Sequence, residues 1–262
     1  MSSSNLFKKN YDLEKDGFCF LSTIYSKKFS ISARENLWRI INGEYDTGRP
    51  PETRFWDVGD SPNKIIKIDK PHLCNDVVWS LITDKGFGRS LAKATHAKKI
   101  QVWHSQVVWK PKSKKNSGNA GWHRDAQYWP FWSHEGLFTA WIALSDVSQR
   151  SGPVRFISGS NHWKEVSGMD FFDKDLISQD KILKQHHGKL KIVSGTLNMG
   201  EVSIHSSLTY HSSEANLEKI PRVGMVVHFC TDKAKRIHVG GENSTYLDQL
   251  MDPTITPIIY ED

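Results

Sequence analysis

The sequence predicts a mainly β protein with flanking helices, an antiparallel sandwich or barrel of the jelly-roll or cupin kind (a double-stranded β-helix). Two observations carry this. Apolar residues at helical spacing dominate the first part of the chain, and from residue 99 onward it breaks into about eight short β-rich runs separated by turns. A third supports it: the sequence has no Gly-rich phosphate loop, no internal repeat and no domain-sized linker. The expected organisation is therefore one domain over 1–262, with a helical N-terminal layer over about 1–98 and a jelly-roll core over about 99–262.

Each element follows from local pattern. GFCFLSTIY (17–25), dense in aromatic and β-branched residues, reads as a short strand after Gly17. SISARENLWRIINGEYD places Ile31, Leu37, Ile40 and Ile41 at helical spacing, with Ser30 or Ser32 as cap and Gly43 as stop. RPPETRFWDVGDSPN is loop by its Pro, Gly and Asp content, and PHLCNDVVWSLITD (71–84) and GRSLAKATHA (88–97) read as two more helices. KIQVWHSQVVWKP (99–111) and LFTAWIALSDV (137–147) read as strands, with a basic loop, PKSKKNSGNA (111–120), after the first. SGPVRFISGSNHW (151–163) is a turn, a short strand and a second turn. Residues 164–190 mix Asp and Lys with scattered apolar residues and are long for a simple connection. That length marks them, with 111–120, as expected lids. Strands resume with LKIVS, EVSIH, SLTYH and RVGMVVHFC, and TPIIY is a candidate last strand.

Composition bounds the partners. At 38% hydrophobic and 24% charged, the chain can bury a sizeable core. Its formal charge of +6 favours anionic ligands in general, which a Lys-rich solvated surface also explains. Cys19, Cys74 and Cys230 are too far apart for zinc spacing and odd in number, so a reducing compartment fits. MSSSNLFKKNYDLEKDG has no apolar secretory segment and no run is long enough to span a bilayer. A cytoplasmic protein with no nucleic acid or membrane partner is the expectation.

The chemistry centres on GWHRDAQYWPFW (121–132), where His123 and Asp125 stand two residues apart in a β-rich run. On a strand, i and i+2 share a face, so an imidazole and a carboxylate could take adjacent corners of a metal. Two His and one carboxylate form the facial triad of non-haem iron(II) oxygenases. A second His must come from later in the chain. His134, His186, His187, His205, His211 and His228 are all candidates, and any one of them alone is more often structural. His211 stands out because Arg222 follows at the start of the next strand, and a guanidinium can pair two-pronged with a carboxylate. Arg222, Gly224, Val226 and His228 share a strand face, with Gly224 leaving room for a ligand.

Four ordered motifs then carry a resemblance: WHRDAQYWPF, TAWIALSDV, SGPVRFISGSNHW and GEVSIHSSLTYHSSEANLEKIPR. Together, from about Gln101 to Phe229, they resemble the phytanoyl-CoA dioxygenase family of iron(II)/2-oxoglutarate oxygenases. The chain departs from that pattern at Ser158, in place of a Pro, and at Asn161, both in a turn. The resemblance implies that His123, Asp125 and His211 hold iron(II) and that Arg222 binds the far carboxylate of 2-oxoglutarate. It also implies that Trp141 and Ser213 line that pocket, though a core Trp and a turn Ser would look the same. Gln106 and Lys110, on the neighbouring strand, read as structural.

The expected reaction is oxidative decarboxylation of 2-oxoglutarate to succinate and CO2, coupled to hydroxylation of an aliphatic C–H. A nucleic-acid demethylase is the rival enzymatic reading, but it wants a basic groove and KPKSKK (110–115) is the only dense cluster. A non-catalytic metal- or ligand-binding jelly roll is the rival from another class, and the triad with Arg222 argues against it. A halogenase is disfavoured because Asp125 fills the corner chloride would need. Trp103, Trp109, Trp122, Trp129, Phe131 and Trp132 crowd the metal strands as an ammonium cage, an acyl or ring pocket, or core.

Overall fold

The computed structural model describes residues 6–8, 11–114, 118–237 and 248–262. Two antiparallel sheets face each other among these residues. The large sheet runs β1 (Phe18–Leu21), β9 (Val202–Ser206), β6 (Leu137–Ala143), β11 (Arg222–Thr231), β4 (Lys99–Lys110), β3 (Ile66–Asp69) and β2 (Thr53–Arg54), with β12 (Ile258–Glu261) also pairing with β4. The small sheet runs β5 (Ala120–His123), β10 (His211–Ser213), β7 (Val154–Ile157) and β8 (Ile192–Ser194). This is the expected jelly roll. Before residue 98, β1 is the strand expected after Gly17, while β2, inside the expected loop, and β3 extend the large sheet beyond expectation.

Period-two alternation separates the two faces of the large sheet. Val223, Met225, Val227 and Phe229 of β11, with Cys19, Leu21, Ile142, Val202 and Ile204, pack under three helices. These are α1 (Lys27–Ile41), α2 (Asp76–Ile82) and α3 (Lys85–Thr95), which contribute Ala33, Leu37, Ile40, Val78, Leu81, Phe87 and Leu91 to that layer. The other face of the same strands looks into the space between the sheets, where Phe18, Phe20, Trp141, Phe156 and Val226 meet. The helix caps fall slightly outside the expected positions. Ser26, not Ser30 or Ser32, caps α1 by accepting from the Phe29 amide at 3.2 Å. Asn75 and Asp84 cap α2 and α3 in the same way.

Residues 164–190 hold a helix the sequence reading left out, α4 (Leu176–His187). Asp175 caps it, Leu176 and Leu183 are buried, and Gly188 ends it. It is fastened to β5. The buried Gln179 Oε1 accepts from the Trp122 amide at 2.6 Å, and Trp122 Nε1 donates to Asp180 at 2.5 Å. Gly121 allows this: a Cβ there would sit 2.0 Å from the Asp170 carbonyl oxygen. In this structure the segment is packed as a wall against the small sheet. Of the other expected lid, 111–120, residues 115–117 lie outside the described residues.

Candidate metal and co-substrate site

β5 ends at His123, and Asp125 opens a 3-10 turn instead of continuing the strand. The expectation that both project from one strand face therefore fails at Asp125. The small sheet still assembles the group, because His211 begins β10 directly opposite His123. His211 Nε2 lies 3.6 Å and His123 Nε2 3.9 Å from Asp125 Oδ1, and all three donor atoms fall within 4.8 Å of one another.

Backbone carbonyls orient both rings. His123 Nδ1 faces the Gly121 oxygen at 2.7 Å and His211 Nδ1 the Thr209 oxygen at 3.0 Å. Each Nδ1–H donates two residues back, which leaves each Nε2 lone pair for a metal. Burial keeps both imidazoles neutral, His211 also because His123 and His205 crowd it. Burial alone would raise the Asp125 carboxyl, but His211, His205 and His228 hold it well below the usual carboxylate range. Two neutral imidazoles and one carboxylate are a donor set that suits iron(II).

His205 and His228, rivals for the third position, lie inside the same cavity with other duties. His205 Nε2 sits 3.2 Å from Asp125 Oδ2, the oxygen turned away from the other two rings. Thr139 Oγ1 donates to that oxygen at 2.6 Å and lies 2.8 Å from His228 Nδ1. His134 and His186 are exposed, and His187 stacks on Trp163 at 3.6 Å, away from the cavity.

The far end of the cavity is cationic. Arg222 is 3% exposed, its Nη1 donates to the Gly152 carbonyl, and its Nε has no partner among the described residues. Burial pushes its guanidinium down to about 10. The guanidinium carbon lies 5.2 Å from the Trp141 ring centroid. Trp141 in turn fills the space over Gly224, where a Cβ would come within 2.1 Å of the indole. The room Gly224 leaves is therefore occupied by Trp141, which supports Arg222 from beneath. Lys110 is the direct cross-strand partner of Arg222, fully buried and cavity-lining. Its Nζ donates to Ser213 Oγ and to the Glu214 carbonyl, each at 2.7 Å. Burial and the neighbouring Arg222 and Lys174 hold it well below the ordinary lysine range. The structural reading given to Lys110 and Gln106 is thus too bland, since both line the cavity. The available signal was their even spacing along β4 with His104.

The cavity holds about 360 Å³, within the size range of small-molecule pockets. Of the six crowded aromatics, Trp103, Trp129 and Phe131 line it. Trp122 and Trp132 pack in core clusters, and Trp109 lies against Trp38 on the helix face. A bulge in β4 opposite His228 and Phe229 breaks the alternation, so that adjacent Trp103 and His104 both face inward. At the mouth stand Phe55, Phe171 and Phe172, with Lys67 Nζ 4.7 Å from the Phe55 ring.

Comparison with known proteins fits this geometry. No curated protein sequence matches the chain significantly. Among solved structures, the carbocyclase SnoK of nogalamycin biosynthesis, described as non-haem and α-ketoglutarate-dependent, aligns at a TM-score of 0.67. It shares 19% identity and covers 90% of this chain and 87% of its own. The epimerase SnoN of the same pathway aligns at 0.66 with 18% identity, covering 88% and 84%. EctD from S. alaskensis, solved with 2-oxoglutarate and 5-hydroxyectoine, aligns at 0.63 with 19% identity, covering 84% and 73%. These likenesses establish the fold. No helix among the described residues is long and apolar enough to cross a membrane. The family model for phytanoyl-CoA dioxygenase matches residues 31–224, a span that takes in β5, β10 and Arg222, and the chain belongs to that family.

Proposed function

We propose that the chain is an iron(II)/2-oxoglutarate-dependent dioxygenase that hydroxylates an aliphatic C–H of a small molecule and releases succinate and CO2. One observation carries this reading: an open His–Asp–His face and a buried guanidinium with no acidic partner among the described residues share one cavity. His123, Asp125 and His211 would hold the iron by Nε2, Oδ1 and Nε2. Arg222 would take the far carboxylate of 2-oxoglutarate in a two-pronged pair, with Lys110 and Ser213 beside it and Trp141 as floor. A buried cation without a counter-ion is costly, and an arriving carboxylate removes that cost. Bound iron and 2-oxoglutarate would supply the oxidising chemistry, while the chain orients them and walls out water with Trp103, Trp129 and Phe131. The nucleic-acid demethylase is the weaker reading, because the mouth among the described residues presents Phe55, Phe171 and Phe172, the first two flanking Lys67, and no basic groove.

SnoN and SnoK are named for epimerisation and carbocyclisation, so product identity has to be measured. The experiment is a substrate panel with iron(II) and 2-oxoglutarate, scored by succinate above the uncoupled background and by a product one oxygen heavier. Product of unchanged mass, or two hydrogens lighter, would replace hydroxylation by epimerisation or cyclisation. Metal titration tests the ligands. Alanine at His123, Asp125 or His211 should weaken iron binding by at least about tenfold, as loss of even an outer-shell partner costs 10- to 100-fold. Full retention by His211→Ala would move the third ligand to His205 or His228.

A further inference from the structure

His228 is buried, lines the cavity and is joined to the carboxylate of Asp125 by a relay of two hydrogen bonds through Thr139. The relay has only one polarity. The Asp125 carboxylate, held ionised, can only accept, so the 2.6 Å contact requires the Thr139 hydroxyl to donate. That hydroxyl has no second proton, so at 2.8 Å it must accept from His228 Nδ1–H. A neutral imidazole protonated at Nδ1 presents a bare lone pair at Nε2. The nitrogen has no hydrogen-bond partner among the described residues, and Trp129 edge-on at 4.9 Å and the parallel His104 ring at 5.5 Å pin the ring. Burial, pushing this imidazole down to about 3, agrees with its neutrality.

We propose that His228 Nε2 is a fixed hydrogen-bond acceptor for the substrate, which must carry a hydroxyl or N–H donor close to the carbon oxidised. This rests on the oxygenase reading of the site and narrows its substrate class. A saturated acyl chain would leave the acceptor buried and unpaired, and a buried unpaired group disfavours such a ligand. The apolar body of the substrate is served by Trp103, Trp129 and the rim rings Phe55 and Phe172, the last two 57% and 65% exposed. The substrate is thus an apolar ring or chain bearing a hydroxyl or amine, not a bare hydrocarbon tail.

The polarity can be read without any substrate. In the protein loaded with zinc(II), as a diamagnetic stand-in for iron, and with 2-oxoglutarate, ¹⁵N-histidine spectra should show His228 as the Nδ1–H tautomer. Thr139→Val should lose that tautomer. An Nε2–H tautomer in the unaltered protein overturns the proposal. Recognition is then read by calorimetry on the same form, with ring alcohols each paired with its methyl ether. Alcohols should bind about 10- to 100-fold tighter than their ethers. His228→Phe should erase that preference, and His228→Gln, whose carbonyl can still accept, should keep part of it. Equal binding of alcohols and ethers to the unaltered protein also overturns it. Failure of the iron form to release succinate with any compound would instead sink the oxygenase reading, and the tautomer spectrum would still decide the acceptor.

Discussion

Arg222 concentrates the chemistry of one end of the cavity in a single side chain. It is buried, supported by Trp141 and tethered to Gly152, and nothing anionic among the described residues pairs with it. Arg222→Lys keeps the charge and loses the fork, leaving a buried carboxylate half-paired at a cost on the order of 2–4 kcal/mol. At about 1.4 kcal/mol per decade, the KM for 2-oxoglutarate should rise roughly 30- to 1000-fold. Iron affinity, read by metal titration, should hold. Unchanged co-substrate kinetics would hand the carboxylate to Lys110, which reaches the same place from the opposite strand. That His123, Asp125, His211, Arg222, Trp141 and Ser213 meet in one cavity was legible in sequence, because motif spacing survives even when local geometry does not. Asp125 shows this, since its position was expected on a strand and is reached by a turn. What sequence could not give was partnership at long range. Thr139 and His205 stand inside quoted motifs, but they lie 14 and 80 residues from the carboxylate they steady, and no local pattern joins either to Asp125.

At the scale of elements, β11 and α4 make opposite lessons. The strand was plain because an unbroken β-rich run with Val, Met and Phe alternating against Gly and His has one way to face a core. The helix was hidden because only Leu176, Gln179 and Leu183 of its face are buried, and Gln179 is polar. The β4 bulge was equally invisible, since one extra residue leaves no compositional trace. The fastening of α4 to β5 has a measurable consequence. Leu183 is fully buried in the cluster around Trp122 and Tyr210, so Leu183→Ala should cost about 2–5 kcal/mol in chemical denaturation. It should also open 164–190 to proteases. A lid swinging free of the sheet would show neither effect. Gly121→Ala should open the same segment from the other side, because its Cβ would displace the Asp170 and Asp173 carbonyls. Limited proteolysis checks this, and unchanged cutting would mean the close approach is not what holds the wall.

Across the whole molecule, the helical layer is locked to the sheet partly through a buried histidine remote from the metal ligands. His72 follows Pro71 in the turn after β3, with Nδ1 2.6 Å from Ser105 Oγ and Nε2 2.9 Å from the Ile255 carbonyl. Burial pushes its imidazole down to about 3, from the ordinary histidine value of 6.5. Between those values the unfolded chain binds a proton that the folded chain refuses. Stability therefore rises with pH through that window and falls as pH drops below 6.5, with a slope of about 1.4 kcal/mol per pH unit for each such group. His228, also pushed down to about 3, and the lowered His123 and His211 act with the same sign. The depressed Asp125 and Asp69 carboxyls add to the acid limb only at lower pH, below the ordinary carboxylate value. The metal-free protein should accordingly lose stability steadily from pH 6.5 to pH 4 in urea titrations, by several kcal/mol. His72→Gln, which can still donate and accept, should lower stability at pH 8. It should also flatten the slope between pH 6 and pH 4 by about one proton, or 1.4 kcal/mol per unit. A slope unchanged by His72→Gln would mean that this imidazole takes up its proton in the folded protein as readily as in the unfolded chain. The tie between the turn after β3, β4 and the segment before β12 would then have to rest on the neutral hydrogen bonds alone.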